Sequence, residues 1–296
     1  MAASLWPWMR LPLYVGTGLV GVMGSALYYF QNEIIYPRNV PPGVRTDVPR
    51  PNNFGLEDAE ELTLPTPDGE KLSAFLVKPA NKSLARPITI LQFHGNAGNI
   101  GYRLPIAKVL ANDLHCTVLM LEYRGYGLST GDPSEKGLVI DAQTGLDYIR
   151  QREDLKSNKI VVYGQSIGGA VAIDLTVKNL AAKDIDALIL ENTFLSVAKM
   201  IPSVLPIAKY LTPLCHEYWK SEDKISKITD TPILFLSGLQ DEIVPPSHMK
   251  QLFRICKTKK MIWKEFPYGD HNNTVTEASY FNYVDDFISE IVDSRR

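Results

Sequence analysis

The segment Gly164-Gln-Ser-Ile-Gly168 constrains the fold of this chain more than any other feature of the sequence. It follows an apolar run at 159–163 and precedes a stretch of small and apolar residues that begins at Gly169. A bare G-x-S-x-G pattern also occurs by chance in glycine-flanked loops, but this context favours a tight strand-to-helix turn whose flanking positions only glycine fits. Such a turn exposes the Ser166 hydroxyl at a helix N-terminus, where backbone N–H groups can stabilise an oxyanion. We therefore expect Ser166 to be a nucleophile.

Short apolar runs alternate with helix-length segments along most of the chain. A hairpin is predicted for 60–64 and 72–77, turned at Pro67-Asp-Gly-Glu70. Strands are then predicted at 88–93, 117–121, 160–163, 187–190, 233–236 and 261–266, with helices at 102–112, 133–151 and 168–179. This alternation predicts an α/β fold with a mostly parallel central sheet and helices on both faces. Ligands in such sheets bind beyond the carboxyl ends of the strands.

Residues 193–231 interrupt the alternation. The segment separates two predicted strands, contains three prolines and is apolar in its first half. Long connections of this kind are usually functional or disordered, and this composition is too apolar for disorder. We predict a small helical cap over the site at about 193–231; an ordinary pair of packing helices is the alternative.

The N-terminal region contains about twenty residues without a charge, at 11–30, which is about the length of a transmembrane helix. A cleavable signal peptide with a cleavage site at Gly24-Ser25-Ala26 is the alternative, but this stretch exceeds the usual apolar region of such peptides. We favour an uncleaved anchor, and so a single-pass membrane protein of the endoplasmic reticulum or another endomembrane. Arginines flank the stretch on both sides, so the positive-inside rule favours a cytosolic C-terminal domain only weakly.

These features predict a three-part organisation. Residues 1–32 form the membrane anchor, and residues 33–56, rich in proline, arginine and asparagine, form a linker. Residues 57–296 form the folded domain, which carries the cap.

Charge and cysteine content exclude several function classes. The formal net charge is −2, and no basic stripe interleaved with aromatic residues is present, so nucleic acid is not an expected partner. The three cysteines, Cys116, Cys215 and Cys256, are widely spaced and form no C-x-x-C pair. Neither a disulfide framework nor a zinc site is therefore indicated.

A nucleophilic serine needs a base to take its proton and an acid to orient that base. In a sheet of this type, the acid and the histidine should follow later strands, in that order. Asp241 follows the predicted strand at 233–236, and His271 follows the last strand. We predict Asp241 as the acid and His271 as the base.

The sequence contains other acids and histidines that could fill the same two roles. Glu242 neighbours Asp241 and is an alternative acid, whereas Asp230 precedes its strand and lies at the wrong end. Among the histidines, His248 is expected to be a solvated surface residue at a helix start. The sequence places His115 before a strand, His216 in the cap and the carboxylate Asp270 in a loop.

An oxyanion needs two donors, one of them from the residue after the nucleophile. The backbone amides of Ile167 and Asn96 are the predicted pair, since Asn96 lies in a glycine-rich loop after an early strand. His94 in this loop is predicted to be structural. No H-E-x-x-H, G-K-[ST] or complete G-x-G-x-x-G pattern is present, so no metal or cofactor is expected.

Together these residues resemble the α/β-hydrolase superfamily over about residues 57–296. The matching motifs are His94-Gly-Asn96, Tyr123-Arg-Gly-Tyr-Gly-Leu-Ser129, Gly164-Gln-Ser-Ile-Gly168, Gly238-Leu-Gln-Asp241 and Gly269-Asp-His271. With the N-terminal anchor, the sequence looks most like the membrane-anchored hydrolases similar to α/β-hydrolase domain-containing protein 13 and its fungal bud-emergence relatives. The neighbouring depalmitoylases are tethered by an N-terminal cysteine cluster, which this chain lacks.

This resemblance and the motifs lead to one functional expectation. The protein is expected to be a membrane-anchored serine hydrolase that cleaves an acyl ester or thioester, on a lipid or an acylated protein, through an acyl-enzyme. The apolar cap favours a lipid-like acyl group. The alternative is a non-catalytic, membrane-tethered binding or scaffold protein that uses a hydrolase fold. Dehalogenases and epoxide hydrolases use an aspartate at the position of Ser166 and are disfavoured.

Overall fold

A computed structural model describes residues 6–204 and 212–293 of the chain. Its centre is an eight-stranded sheet with the strand order β1-β2-β4-β3-β5-β6-β7-β8. The strands are β1 Ala59–Pro65, β2 Lys71–Val77, β3 Ile88–Phe93, β4 Thr117–Leu121, β5 Lys159–Gln165, β6 Ala187–Glu191, β7 Ile233–Gly238 and β8 Met261–Phe266. Strand β2 pairs antiparallel with β1 and β4, and the strands from β4 to β8 pair in parallel. The predicted mostly parallel sheet is confirmed.

Helices cover both faces of the sheet. They are α1 Trp6–Ile35, α2 Leu104–Asn112, α3 Glu135–Gln151, α4 Ile167–Lys178, α5 Val197–Val204, α6 Ser221–Ile225, α7 Pro246–Ile255 and α8 Tyr280–Asp293. Helices α3, α4 and α7 contribute to one apolar core, and α2 and α8 to the core on the opposite face. Side chains alternate between these cores along the strands, as the two-residue period of a strand requires. In β3, for example, Ile88 and Ile90 join one core, while Leu91 and Phe93 join the other.

Helix α1 spans the stretch that was predicted as a membrane anchor. Within the two described ranges, no helix combines the length and the apolar character that crossing a membrane requires. The predicted transmembrane helix is thus not found there. The C-terminal turns of α1 pack on the domain, where Gln31 is buried.

The segment that follows α1 lies against the domain. It has no helix or strand other than a short 3-10 turn at Pro51–Phe54, yet Tyr36, Val44, Val48 and Leu56 are buried. Residues 33–56 therefore contact the domain at several points along their length, and the boundary predicted at residue 57 stays a prediction.

The predicted cap contains two short helices, α5 and α6. Residues 205–211 of the cap lie outside the described residues. Helix α5 contains Pro202 and faces the carboxyl ends of the strands, where Val197, Met200 and Ile201 line a groove together with Ser166.

Candidate active site

The predicted site residues follow four strands of the parallel part of the sheet. Asn96 comes after β3, Ser166 after β5, Asp241 after β7 and His271 after β8. Because the carboxyl ends of parallel strands meet at one edge, these loops converge there. The fold therefore brings together side chains that lie far apart in the sequence.

Ser166 lies in a strained turn between β5 and α4. Its backbone has φ 55° and ψ −121°, a conformation that residues other than glycine rarely adopt. A Cβ on Gly164 would lie 2.2 Å from the carbonyl oxygen of Gly168, and one on Gly168 would lie 2.3 Å from that of Phe93. Both glycines are thus required by close backbone contacts, which explains the motif.

Hydrogen bonds hold this turn on both sides. The Ser166 N–H donates to the carbonyl of Glu191 over 2.9 Å, and the Thr193 hydroxyl donates to the Ser166 carbonyl over 2.7 Å. Both partners lie at the end of β6 or just beyond it. The neighbouring strand therefore supports the strained serine.

Ser166, His271 and Asp241 form a hydrogen-bonded chain. His271 Nε2 lies 3.0 Å from Ser166 Oγ, and His271 Nδ1 lies 2.7 Å from Asp241 Oδ2. All three side chains are buried, so water competes little for these bonds. The other carboxylate oxygen of Asp241 accepts the backbone N–H groups of Ile243 and Val244, over 2.9 and 2.7 Å. These two bonds fix the orientation of the carboxylate.

The loop after β3 lies against the serine turn. A Cβ on Gly95 would lie 3.8 Å from the Cβ of Ser166, and Asn96 and Ile167 line the same groove as the serine. Ile167 is the first residue of α4, so its N–H lies at a helix N-terminus. The two residues predicted to supply the oxyanion donors therefore both line the groove of Ser166.

Buried side chains hold the loop after β3 in place. His94 Nε2 lies 3.0 Å from Glu122 Oε1, and the other carboxylate oxygen of Glu122 accepts the N–H of Ile100. The hydroxyls of Tyr123 and Tyr126 donate to the carbonyls of His94 and Asn96, respectively. These contacts fit the structural role predicted for His94.

A buried carboxyl, Glu191, lies behind the His271 loop and was not among the predicted site residues. It accepts hydrogen bonds from the hydroxyls of Tyr163 and Tyr280. Gln165 connects the two regions, because its side-chain nitrogen lies 3.4 Å from Glu191 Oε1 and 3.3 Å from the carbonyl of His271. Burial raises the pKa of Glu191 above its ordinary value. The sequence feature that could have pointed to Glu191 is its position as a charged residue at the end of the apolar run 187–191.

The alternative candidates lie elsewhere. Glu242 is exposed, and its neighbour Asp241 makes the contact with His271. The expectation that His248 is solvated is wrong, because its side chain is 6% exposed. The Leu195 N–H donates to His248 Nδ1 over 3.3 Å, so packing against the start of the cap segment removes this histidine from solvent. His216 packs on α1, with its Nε2 3.2 Å from the Tyr28 carbonyl.

Ser166 opens into an apolar groove of 490 Å³, a volume typical of small-molecule sites. One wall comes from the cap segment and a second from the Asp241 loop, through Ile243 and Val244. The third wall comes from the end of α1. Within residues 6–204 and 212–293, no cluster of three His, Cys, Asp or Glu side chains could hold a metal ion.

This arrangement has the elements that acyl transfer requires. A serine hydroxyl is within hydrogen-bonding distance of an imidazole, which a buried carboxylate orients in turn. Asn96 and Ile167, whose N–H groups are the predicted oxyanion donors, line the same groove, and the lining of this groove is largely apolar.

Comparison with known sequences gives a consistent result. The family described as serine aminopeptidase, S33 matches residues 87–229. Protein Bem46 of Schizosaccharomyces pombe is 48% identical over 265 residues, which cover 89% of this chain and 87% of that protein. The uncharacterized membrane protein YNL320W of Saccharomyces cerevisiae is 40% identical, with 96% and 98% of the two chains covered. WAV2 of Arabidopsis thaliana, an α/β-hydrolase domain-containing protein, is 40% identical, with 88% of each chain covered.

Solved structures share the fold at lower identity. An α/β-hydrolase from Vibrio vulnificus superposes with a TM-score of 0.70 at 20% identity, over 88% of this chain and 92% of that one. The Pyrococcus furiosus esterase Pf2001 superposes with a TM-score of 0.65 at 17% identity, over 83% and 93%. Sheet order, serine turn and sequence relatives agree, and this chain belongs to the α/β-hydrolase family that includes Bem46 and WAV2.

Proposed function

We propose that this protein is a serine hydrolase that cleaves an acyl ester or thioester through an acyl-enzyme. The observation that carries the proposal is the Ser166–His271–Asp241 chain, with bonds of 3.0 and 2.7 Å, at the floor of an apolar groove. A hydroxyl positioned in this way is an activated nucleophile.

In the first half of the reaction, Ser166 Oγ attacks the acyl carbonyl while His271 Nε2 takes its proton. Asp241 keeps the other ring nitrogen protonated and stabilises the imidazolium that forms. The amides of Ile167 and Asn96 stabilise the oxyanion. When the tetrahedral intermediate collapses, His271 gives its proton to the leaving alcohol or thiol, and Ser166 remains acylated.

In the second half, a water molecule takes the place of the leaving group. His271 removes its proton as it attacks the acyl-enzyme, and a second tetrahedral intermediate forms in the same oxyanion site. Its collapse releases the carboxylic acid and returns the proton to Ser166. The same three residues therefore serve both halves.

We further propose that the substrate is a lipid or an acylated protein and that the protein acts at a membrane, through residues 11–30. The groove lining is largely apolar, which favours a hydrocarbon group over a polar one. A relative of similar length is described as a membrane protein. Carbonate extraction of cell membranes tests the attachment: the full chain should stay in the pellet, and a variant lacking residues 1–30 should be released.

Labelling with a fluorophosphonate probe tests the nucleophile. The purified full-length protein should form a covalent adduct that Ser166→Ala abolishes. Ser129→Ala is a control, because Ser129 is also buried but hydrogen-bonds with the Glu122 carbonyl instead of a histidine. A protein without Ser166-dependent labelling and without ester turnover would instead be a binding or scaffold protein on a hydrolase fold, the second candidate function.

A further inference from the structure

One face of the last turns of α1 forms a wall of the groove above Ser166. Leu27, Gln31, Ile34 and Ile35 line the groove, and their spacing of four, three and one places them on a single helix face. A helix that served only as an attachment would have no reason to contribute to this groove.

Gln31 holds this wall against the cap segment. Its side-chain nitrogen donates to the carbonyls of Tyr28 and Leu214, over 3.0 and 3.2 Å. Its oxygen accepts the N–H of His216 over 2.8 Å and that of Glu217 over 3.4 Å. A primary amide has two donors and two acceptor positions. Its hydrogen-bonding capacity is therefore used within the protein.

The end of α1 also contacts the predicted oxyanion loop. Asn96 Nδ2 donates to the carbonyl of Ile35 over 3.1 Å. The next residue, Tyr36, is 1% exposed; its hydroxyl donates to Glu217 and accepts from the indole N–H of Trp219. These contacts fix the position of the helix end relative to the groove.

The wall offers only apolar surface to a ligand. With the Gln31 amide occupied, the groups of α1 that remain to face the groove are the aliphatic side chains of Leu27, Ile34 and Ile35. Ile34 is 63% exposed, and the outer surface of α1 carries further exposed apolar side chains at Val22, Tyr29 and Phe30. Exposed apolar surface of this extent marks contact with a membrane or partner. Ile34 belongs to both surfaces, because it lines the groove and lies one helical turn after the exposed Phe30.

We propose that the last turns of α1 bind the acyl chain of the substrate and determine its preferred length, and that a long chain passes from the membrane along α1 to Ser166. This inference rests on the proposed serine hydrolase function. It assigns α1 a part in substrate selection, because a hydrocarbon chain is the ligand that an aliphatic wall with no free polar group fits.

The test compares kcat/KM for butyryl and palmitoyl esters of p-nitrophenol, using the full-length protein in mixed micelles. Leu27→Trp places a larger side chain in the groove. We expect it to lower kcat/KM for the palmitoyl ester by about 10- to 100-fold and to change that for the butyryl ester by less than about threefold. Leu84→Trp is the matched control, since Leu84 is a leucine that is 53% exposed and lies between β2 and β3, away from α1 and the groove. It should change neither value.

A second variant guards against misfolding. Leu27→Ala removes apolar contact without adding volume, and we expect it to lower kcat/KM for the palmitoyl ester by about three- to tenfold, with fluorophosphonate labelling of Ser166 retained. A vesicle-bound monoacylglycerol and a palmitoylated cysteine peptide, assayed in the same way, separate a lipid from a protein as the source of the chain. A selective loss with either one supports the inference.

The outcomes separate this inference from the function on which it rests. The role of α1 in binding the acyl chain is refuted if the wild-type protein prefers short esters, or if both Leu27 variants affect short and long esters equally. In either case the proposed serine hydrolase function still stands. If no ester is turned over in a Ser166-dependent manner, the proposed function itself fails.

Discussion

Replacing Asp241 by asparagine should nearly abolish acylation of Ser166, and the structure shows why a change of one atom has this effect. In the native protein, Asp241 Oδ1 accepts two backbone N–H groups, from Ile243 and Val244. An asparagine must keep its oxygen at that position, because an NH₂ group there would face two donors. Its NH₂ group then points at His271 Nδ1, which lies 2.7 Å from the other carboxylate oxygen.

The consequence is a reversed tautomer. Facing a donor, His271 Nδ1 must accept, so the ring proton moves to Nε2. That nitrogen then points its proton at Ser166 Oγ, 3.0 Å away, and cannot remove the serine proton. The same substitution in a serine triad lowers kcat by about 10⁴-fold, or about 5.5 kcal/mol in activation free energy. We expect a loss of this size with little change in folding stability.

The assay is the pre-steady-state rate of p-nitrophenol release, accompanied by the rate of fluorophosphonate labelling. Glu242→Gln is the matched control, since Glu242 is the adjacent acid, is exposed, and was the alternative in the sequence. It should retain wild-type rates. An Asp241→Asn protein that keeps a tenth or more of the acylation rate, or a Glu242→Gln protein that loses as much, would refute this assignment.

Three further predictions concern stability. Gly168→Ala should lower the free energy of unfolding, measured in urea, by about 3 kcal/mol, because the new Cβ would lie 2.3 Å from a backbone oxygen. Gly21 has open space around it, so Gly21→Ala should change the free energy of unfolding by less than about 1 kcal/mol. Equal effects of the two substitutions would contradict the close contact at Gly168. Burial raises the pKa of Glu191, so the favourable contribution of this residue to folding stability is complete below the unfolded pKa and is lost as pH rises through the folded pKa. The Tm should therefore fall as pH rises through this range, and Glu191→Gln should make that fall smaller. An unchanged profile of Tm against pH would count against the raised pKa. Burial lowers the pKa of His248, so the contribution of this histidine to stability is complete above the unfolded pKa and is lost as pH falls below that value toward the folded pKa. His248→Asn keeps an acceptor for the Leu195 N–H and should reduce the decline in Tm on acidification; an unchanged decline would contradict this.

The positions of the strands along the sequence and of the loop residues that follow them were predictable because both depend on local patterns. Each strand of the parallel region is a short, nearly continuous apolar run, since both faces of the sheet are covered. Once the strands are assigned, the carboxyl-end rule places Ser166, Asp241 and His271 at one edge without further information. The glycines of the serine turn add a local steric constraint that few other structures impose.

Properties that depend on tertiary packing were not predictable in this way. His248 follows two prolines, which indicates an exposed turn, but its ring is buried by the segment around Leu195. Glu191 was not singled out because its tyrosine partners come from β5 and α8, at sequence separations of 28 and 89 residues. No periodicity reports which side chains will meet across such distances.

Helix α1 shows the same limit most clearly, because its apolar composition indicated an attachment and gave no sign of the buried contacts that its last turns make with the domain. Attachment requires only apolar side chains that face outward, and residues such as Val22 and Phe30 meet that requirement. Attachment does not require the buried Gln31 amide, which hydrogen-bonds with carbonyl and N–H groups 183 to 186 residues away. Nor does it require that the Ile35 carbonyl, at the end of the helix, accept a hydrogen bond from Asn96. These bonds restrict the helix to one position beside Ser166. An unrelated apolar segment could replace the outer surface of α1, but not the face that carries Leu27 and Gln31, without altering the groove beside Ser166.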